Sequence, residues 1–261
     1  MTGNSPTKRV AAFWDAKASV HDQIWGNGIH SPSEIRCWTD FLIEQLGVAP
    51  RTRALDAGAG TGVLSGILSA IGYRTTALDL SQGMCARALL RSVTSHSAFD
   101  VVSGNMAVLP FPDGIFDAVI VRHAMGGIPD QIAALTEFRR VLTPSGVFLL
   151  IELEPSRRDW WSRLLMLTAR LLLAAHRDSH LFRGDEHYSD VISEFRLPGR
   201  TTRGALIEGL QRAGFVVLRT DSLAAVVAAE CRSAPLYHKV LARVTPRFAL
   251  SCVPGACDPQ A

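Results

Sequence analysis

The segment Leu55–Gly62 reads LDAGAGTG, and it decides the fold class of this 261-residue chain. A short apolar run ends at a carboxylate, Asp56, and glycines then follow at every second position, at Gly58, Gly60 and Gly62. Glycine has no Cβ and tolerates positive φ, so the segment predicts a turn in which bare backbone approaches a ligand. A helical pattern of apolar residues follows at once. The loop is therefore predicted between a strand and a helix, where open α/β sheets bind their ligands.

The spacing of these glycines separates two kinds of nucleotide-binding loop. The dinucleotide fingerprint is G-x-G-x-x-G, whereas this chain has Asp56-x-Gly58-x-Gly60-x-Gly62. This spacing is evidence against a nicotinamide-dependent oxidoreductase, and that function is therefore the weakest hypothesis for this chain.

A second carboxylate supports a nucleoside ligand. Asp79 ends a segment predicted as the next strand and lies 17 residues after Gly62. That distance suits an acid that accepts hydrogen bonds from both hydroxyls of a ribose. The alternative is a structural role, as a helix cap or as part of a strand-end turn.

Strands and helices alternate along most of the chain. Strands are predicted at 53–57, 73–79, 100–103, 116–121 and 147–153, with helices between them, and a later helix–strand pair is predicted at 202–213 and 215–220. Alternation of this kind predicts a parallel sheet covered by helices on both sides. Ser33 is the predicted N-cap of the helix that ends at Leu46, and Pro129 the predicted first residue of another helix. The last strand lies either within 236–244 or within 248–253.

Composition limits the class of protein. Hydrophobic residues make up 48% of the chain, enough for one large core. We expect a single domain over 1–261, with an N-terminal helical cap over 1–46 and a lid-like insertion over 155–200. A net charge of +3 with scattered basic residues predicts no nucleic-acid partner.

Cysteine usage and hydropathy bear on the location of the protein. The five cysteines form no C-x-x-C pair, and no apolar stretch follows the first charged residues. These features predict reduced thiols in a cytoplasmic protein. The apolar stretch 160–175 is too short to span a membrane. We interpret it as a buried helix or a lid helix. The alternatives are an interfacial helix and a helix that contacts a second subunit, which would give a homodimer.

Several segments together resemble a known family, the class I S-adenosylmethionine (SAM)-dependent methyltransferases, in their small-molecule branch. They are LDAGAGTG at 55–62, ALDLS at 77–81, GNMAVLPFPDGIFDAVIVRHAM at 104–125, EFRRVLTPSGVFLLIE at 137–152 and LIEGLQRAGFVVLRT at 206–220. The resemblance implies an α/β, Rossmann-like three-layer sandwich whose seven-stranded sheet is mostly parallel, with the last strand antiparallel. It also implies SAM as cofactor and a small molecule as methyl acceptor, at an O, N or C atom.

The resemblance also assigns cofactor contacts to particular residues. Asp56, Gly58 and Gly60 would line the methionine part of SAM, and Asp79 would hold the ribose. Leu80 and Met84 would flank the adenine, and Asn105 and Met106 would meet its edge. The family commonly has Asp where this chain has Asn105. Near the N-terminus the family often has an aromatic–Asp pair over SAM, whereas this chain has His21-Asp22.

Methyl transfer depends mainly on positioning. In-line orientation supplies about 7–11 kcal/mol of barrier lowering, whereas a general base supplies about 10²–10⁴-fold in rate. His123, at the end of the fourth strand, is the first candidate base, followed by His30 and His21. The alternative for His123 is a strand-end residue that hydrogen-bonds to backbone.

Three histidines, His176, His180 and His187, have helical spacing. No carboxylate or cysteine cluster completes a metal site with them, so no metal is predicted.

The alternative function is a SAM-binding protein of this fold with a non-methylating role, either a cyclase or a partner-binding subunit.

Overall fold

The computed structural model describes residues 5–47, 52–95, 98–154, 160–175 and 202–255. Seven strands are described: β1 (Arg53–Ala57), β2 (Arg74–Asp79), β3 (Asp100–Ser103), β4 (Phe116–Arg122), β5 (Leu142–Leu153), β6 (Phe215–Asp221) and β7 (Arg247–Pro254). The α-helices of this part of the chain are α1 (Pro6–Lys17), α2 (Pro32–Leu46), α3 (Val63–Ala70), α4 (Gln82–Thr94), α5 (Gln131–Val141), α6 (Trp160–Ala174), α7 (Arg203–Arg212), α8 (Ala224–Ser233) and α9 (Leu236–Val244). None of these helices is long and apolar enough to cross a membrane.

The strands form one sheet in the order β3-β2-β1-β4-β5-β7-β6. Strands β1 to β5 pair in parallel, and β7 runs antiparallel to both of its neighbours, β5 and β6. The predicted seven-stranded sheet with an antiparallel last strand is confirmed. Of the two predicted positions for that strand, 248–253 is right, because 236–244 forms helix α9.

Alternate residues of each central strand face opposite layers of helices. In β4, Val119 and Val121 pack in the core cluster with helices α5 and α7, whereas Ala118 and Ile120 pack in the cluster with α2, α3 and α8. Both faces of the sheet are therefore dry, as a parallel sheet requires. Because helices cover both faces of the sheet, a ligand reaches it at the ends of the strands.

Two predicted helix starts are wrong by two residues. Ser31, not Ser33, caps α2, and its hydroxyl accepts a hydrogen bond from the Glu34 N–H at 3.2 Å. Asp130 caps α5 by accepting from the Ala133 N–H at 3.0 Å, so Pro129 precedes the helix and is not its first residue. In both places a side chain that caps the backbone sets the boundary.

The first 46 residues are helical where the structure describes them, in α1, a 3-10 turn at His21–Gln23 and α2. The predicted lid-like insertion, 155–200, lies mostly outside the described residues. Helix α6 is its described part, and it packs against α9.

Candidate functional site

A cleft of about 1030 Å³, counted to its open mouth, lies at the carboxyl ends of β1, β2 and β4. All eight residues predicted to contact the cofactor line it: Asp56, Gly58, Gly60, Asp79, Leu80, Met84, Asn105 and Met106. The fold therefore brings together residues that are up to 50 positions apart in the sequence. That these residues bind a cofactor stays a prediction.

The glycine loop forms one wall of the cleft. Gly58 and Gly60 have φ of +73° and +56°, a region that side chains with a Cβ rarely adopt. A Cβ on Gly58 would lie 2.6 Å from the Ala124 Cβ, so the loop and the end of β4 approach each other too closely for any other residue. This wall is bare backbone, as the sequence predicts.

Asp79 closes the same wall from the end of β2. Its Oδ2 accepts a hydrogen bond from the Gly60 N–H at 2.8 Å, and its Oδ1 accepts from the Ser81 N–H at 2.9 Å. Burial raises the pKa of Asp79, and these two hydrogen bonds oppose the shift. Each carboxylate oxygen keeps a second acceptor position, so the group has the capacity to bind two hydroxyls.

A buried charge pair lies beneath the cleft. Burial raises the pKa of Asp56 to about 6, although its Oδ2 accepts a hydrogen bond from the Ser65 hydroxyl at 2.6 Å and Arg122 attracts it. Burial also lowers the pKa of Arg122 to about 10. The Arg122 guanidinium lies 5.4 Å from the Trp38 ring and donates to the Asn27 carbonyl at 2.6 Å. Arg122 and Asn27 both line the cleft, on the side away from Asp79.

His123 follows β4 in a strained backbone conformation, with φ of +56°. Its backbone N–H donates to the Ile151 carbonyl at 2.9 Å, but neither ring nitrogen has a hydrogen-bond partner among the described residues. Nδ1 lies 4.0 Å from Glu152 Oε2, and Glu152 Oε1 accepts from the Met125 N–H at 2.9 Å. Burial holds the pKa of His123 well below its usual value. The ring is therefore a neutral, buried polar group in the lining of the cleft.

The other two predicted histidines differ in position. His21 lines the cleft, and its Nδ1 lies 3.2 Å from Asp22 Oδ1. His30 does not line the cleft, because its ring packs against Trp25 with 4.0 Å between ring centroids. The structure does not bring His30 to the other candidate site residues.

The N-terminal cap is attached to the glycine loop through Asp22. Asp22 Oδ1 accepts from the Thr61 hydroxyl and Oδ2 from Arg91 Nη2, both at 2.5 Å. Arg91 Nε also donates to the Thr61 carbonyl at 2.9 Å. Burial by itself raises the pKa of Asp22, but the contacts with His21, Thr61 and Arg91 outweigh it and lower the pKa to about 2.

A second attachment reaches the start of α4. Asp15 Oδ1 accepts from the Ser81 hydroxyl at 2.5 Å and from the Gly83 N–H at 2.8 Å. The cap therefore holds both chain segments that leave the cleft, one after β1 and one after β2. Neither Asp15 nor Asp22 carries a sequence signal for these contacts, because each partner is distant along the chain.

Two residues of the cleft region were missed by the sequence analysis. Glu152 ends an apolar strand in a carboxylate, the same signal that marks Asp56, and this pattern could have found it. Arg122 had no such signal, because its burial depends on Trp38 from α2.

Metal ligands and disulfides are absent from the part of the chain that the structure describes. There, no group of three or more His, Cys, Asp or Glu side chains could hold a metal ion. Cys37, Cys85, Cys231 and Cys252 are free thiols. The predicted histidine series at 176, 180 and 187 lies outside the described residues.

Comparison with known proteins agrees with this geometry. Residues 55–150 match a family model described as a methyltransferase domain. A demethylmenaquinone methyltransferase from Renibacterium salmoninarum is 32% identical over 143 residues, which are 55% of this chain and 58% of the relative. This chain therefore matches less than two thirds of that relative's length.

Two solved structures share the fold. The phosphoethanolamine N-methyltransferase 2 of Haemonchus contortus has a TM-score of 0.66 at 16% identity, covering 96% of this chain and 60% of the other. The [4+2]-cyclase SpnF has a TM-score of 0.62 at 17% identity, covering 96% and 97%. The matched segment includes the glycine loop and strands β2 to β4, and the sheet order agrees with the fold of these structures, so residues 55–150 are similar to a methyltransferase domain and the chain has the fold of methyltransferases.

Proposed function

We propose that this protein transfers the methyl group of SAM to a small, largely apolar acceptor. The observation that carries the proposal is the pairing of two different walls in one cleft. One wall is the glycine loop with Asp79, which offers bare backbone and a carboxylate. The other wall, at the end of β4, offers the neutral ring of His123 without a hydrogen-bond partner among the described residues.

The first wall fits an adenosyl cofactor. Asp79 has acceptor positions for two ribose hydroxyls. A side chain on Gly58 would clash with Ala124, so the loop keeps bare backbone beside Asp79. Leu80, Met84 and Met106 supply apolar surface beside Asp79 for a purine ring. When bound, SAM would supply a methyl group on a positively charged sulfur. The residues of the chain would then orient it and exclude water.

Asp56 adds a charge effect at this wall. A positively charged ligand beside Asp56 favours the ionised carboxylate, which burial alone disfavours. Cofactor binding would therefore release the proton that Asp56 holds near pH 6. This coupling predicts that cofactor affinity rises between about pH 5 and pH 7.

The second wall fits the acceptor. Val10, Trp14, Ile128 and Pro129 add apolar surface to the lining of the cleft. His123 is the polar group that would receive a hydrogen bond from the acceptor, and a proton if the acceptor is a hydroxyl or phenol. Its low pKa makes it a weak base by itself. Glu152, 4.0 Å from Nδ1, is close enough to stabilise the imidazolium after a small side-chain movement.

The proposal has a two-part test. Calorimetric titration with S-adenosylhomocysteine measures the cofactor site, and transfer of tritiated methyl from SAM measures turnover. Because the Renibacterium salmoninarum relative is named for demethylmenaquinone, short-chain analogues of that quinone, oxidised and reduced, are the first acceptors to test. We expect binding of S-adenosylhomocysteine and methyl transfer to at least one analogue class.

Two outcomes would contradict the proposal. Absence of S-adenosylhomocysteine binding, with NADH binding in its place, would favour an oxidoreductase. Tight S-adenosylhomocysteine binding without methyl transfer to quinones, phenols, amines or activated carbon acids would favour the non-methylating alternative.

A further inference from the structure

Helix α6 presents an apolar stripe to solvent. Its side chains are 47% to 65% exposed and belong to Trp160, Trp161, Leu164, Leu167 and Leu171. Four of them follow a spacing of 4, 3 and 4 residues, which places them along one line of the helix. We call these five residues the outer stripe. The sequence analysis favours a buried or lid helix here, and the exposure of the outer stripe instead supports the interfacial alternative.

The charges beside the outer stripe have a single sign. Arg163 and Arg170 are exposed and seven residues apart, so they lie along one edge of the stripe. The helix α9, which packs against α6, also carries only basic charges, Lys239 and Arg243, and Arg243 is exposed. Neither helix contains an aspartate or a glutamate. The partner that fits this surface is therefore apolar at its centre and anionic around it.

From these observations we propose that α6 docks the protein on the surface of a membrane that contains anionic lipids. The helix would lie in the plane of the interface, with the outer stripe among the acyl chains and the arginines among the headgroups. Tryptophan is the side chain best suited to that boundary, because an apolar ring and an N–H donor share one group. At fifteen residues the helix is too short to span a bilayer.

A second copy of the chain fits this surface less well. Pairing two outer stripes about a twofold axis would bring four arginines into one interface, with no acidic residue on either α6 helix to balance them. An anionic lipid surface balances the same charges. This inference stands whether or not the proposed methyl transfer is correct.

Vesicle flotation tests the docking proposal with the full chain. We expect the protein to float with vesicles of 70% phosphatidylcholine and 30% phosphatidylglycerol, and to remain at the bottom with phosphatidylcholine alone. Salt at 0.5 M should release most of the protein, because it screens the arginines. Failure to float with the anionic vesicles would overturn the proposal.

Matched variants locate the surface. The triple variant Trp160→Gln, Leu164→Gln, Leu167→Gln should lower the partition coefficient at least roughly 100-fold. The reason is that three apolar side chains that would be buried among the acyl chains are lost. The control is Leu89→Gln, Leu90→Gln, Val93→Gln, which changes three exposed apolar residues of α4 and should float like the wild type. Equal flotation of both triple variants would overturn the proposal.

A variant with milder changes tests whether reduced binding has a cause other than misfolding. Arg163→Gln with Arg170→Gln changes two exposed residues and should lower binding to anionic vesicles roughly 30-fold, from the attraction of each arginine to the anionic surface. Unchanged binding would contradict the proposal, provided that thermal melting is also unchanged. Sedimentation velocity supplies the remaining outcome: a dimer that the outer-stripe variant dissociates, without vesicle binding by the wild type, would assign the surface to a second copy.

Discussion

The ends of β2 and β4 line the same cleft, but their polar groups are in opposite states. At the end of β2, each oxygen of Asp79 already accepts a backbone hydrogen bond, from Gly60 and from Ser81. At the end of β4, His123 has a strained backbone, and neither ring nitrogen has a partner among the described residues. The first end is preorganised by the protein, and the second has polar capacity left for a ligand.

The difference teaches how the two halves of such a site tolerate change. A preorganised wall should lose binding when its hydrogen bonds are removed, whereas a strained and unpaired residue costs stability, so we expect its loss to affect turnover more than folding.

Substitution of His123 should affect turnover most. His123→Ala should lower kcat about 10²–10⁴-fold, the usual range for a general base, with cofactor affinity within about threefold of the wild type. The measurements are tritium transfer for kcat and calorimetry for S-adenosylhomocysteine. His30→Gln is the matched histidine control, because His30 does not line the cleft, and its kcat should stay within about threefold.

The pH profile sharpens this prediction. Because burial holds the pKa of His123 well below its usual value, the base should stay neutral as the pH falls to 6. The kcat of the wild type should therefore show no titration of His123 between pH 8 and pH 6. A kcat that halves near pH 6.5 in the wild type, but not in His123→Gln, would contradict this account.

Removal of Asp79 should affect binding most. Asp79→Ala removes the carboxylate predicted to hold both ribose hydroxyls, and hydrogen bonds to a charged group contribute about 1.5–3 kcal/mol each. The Kd for S-adenosylhomocysteine should rise at least roughly 100-fold. Asp117→Ala is the matched control, since Asp117 also accepts a backbone N–H, from Arg53 at 2.9 Å, but does so outside the cleft. Similar losses in both variants would refute a specific role for Asp79.

Asp56→Asn should stabilise the protein without ligand. The folded-state pKa of about 6 exceeds the ordinary value of 3.8, so the folded state binds more protons than the unfolded state between these pH values. Stability of the wild type therefore falls as the pH rises through that window, by about 3 kcal/mol. The variant lacks this loss of stability. Its free energy of unfolding, measured with urea, should therefore exceed that of the wild type at pH 7.5, and the difference should vanish near pH 4. An advantage that is the same at both pH values would contradict the assignment to Asp56.

Asp22→Asn should show the opposite pH signature, with a smaller magnitude. The folded-state pKa of about 2 lies below 3.8, so the stability from Asp22 is present above pH 4 and is lost as the pH falls toward 2. We expect the wild type to be more stable than the variant by about 1–2 kcal/mol at pH 6, less near pH 2. Urea unfolding at both pH values is the measurement. A variant as stable as the wild type at pH 6 would show that Asp22 does not fasten the cap.

The sequence predicted the local geometry of the cleft near β1 and β2 almost completely. The bounds of β1 and β3 are those expected, and all eight predicted cofactor residues line one cleft. This success has a local cause, because a glycine loop after a short strand depends on φ and on steric volume within a few residues. The errors at Ser33 and Pro129 are also local, since several capping residues compete at each helix start.

The region around the end of β4 was predicted only in part. His123 was singled out because it follows an apolar strand, but its neighbour Glu152 was not assigned a role, and His30 is not among the residues that line the cleft. Glu152 approaches His123 because β4 and β5 pair with Arg122 opposite Ile151, which places the next residue of each strand at the same edge. A sequence with no alignment contains no signal for that register.

The glycine spacing, the carboxylates near the ends of β1 and β2 and the alternation of strands and helices are local features, so they suffice to predict the α/β fold and a bare-backbone wall in the cleft. The residues that pack around that wall depend on the tertiary structure. The contacts of Asp22 with Thr61 and Arg91, and of His123 with Glu152, join residues 29 to 69 positions apart. Such contacts depend on strand order and helix docking, which are set by the packing of the whole core rather than by any one segment.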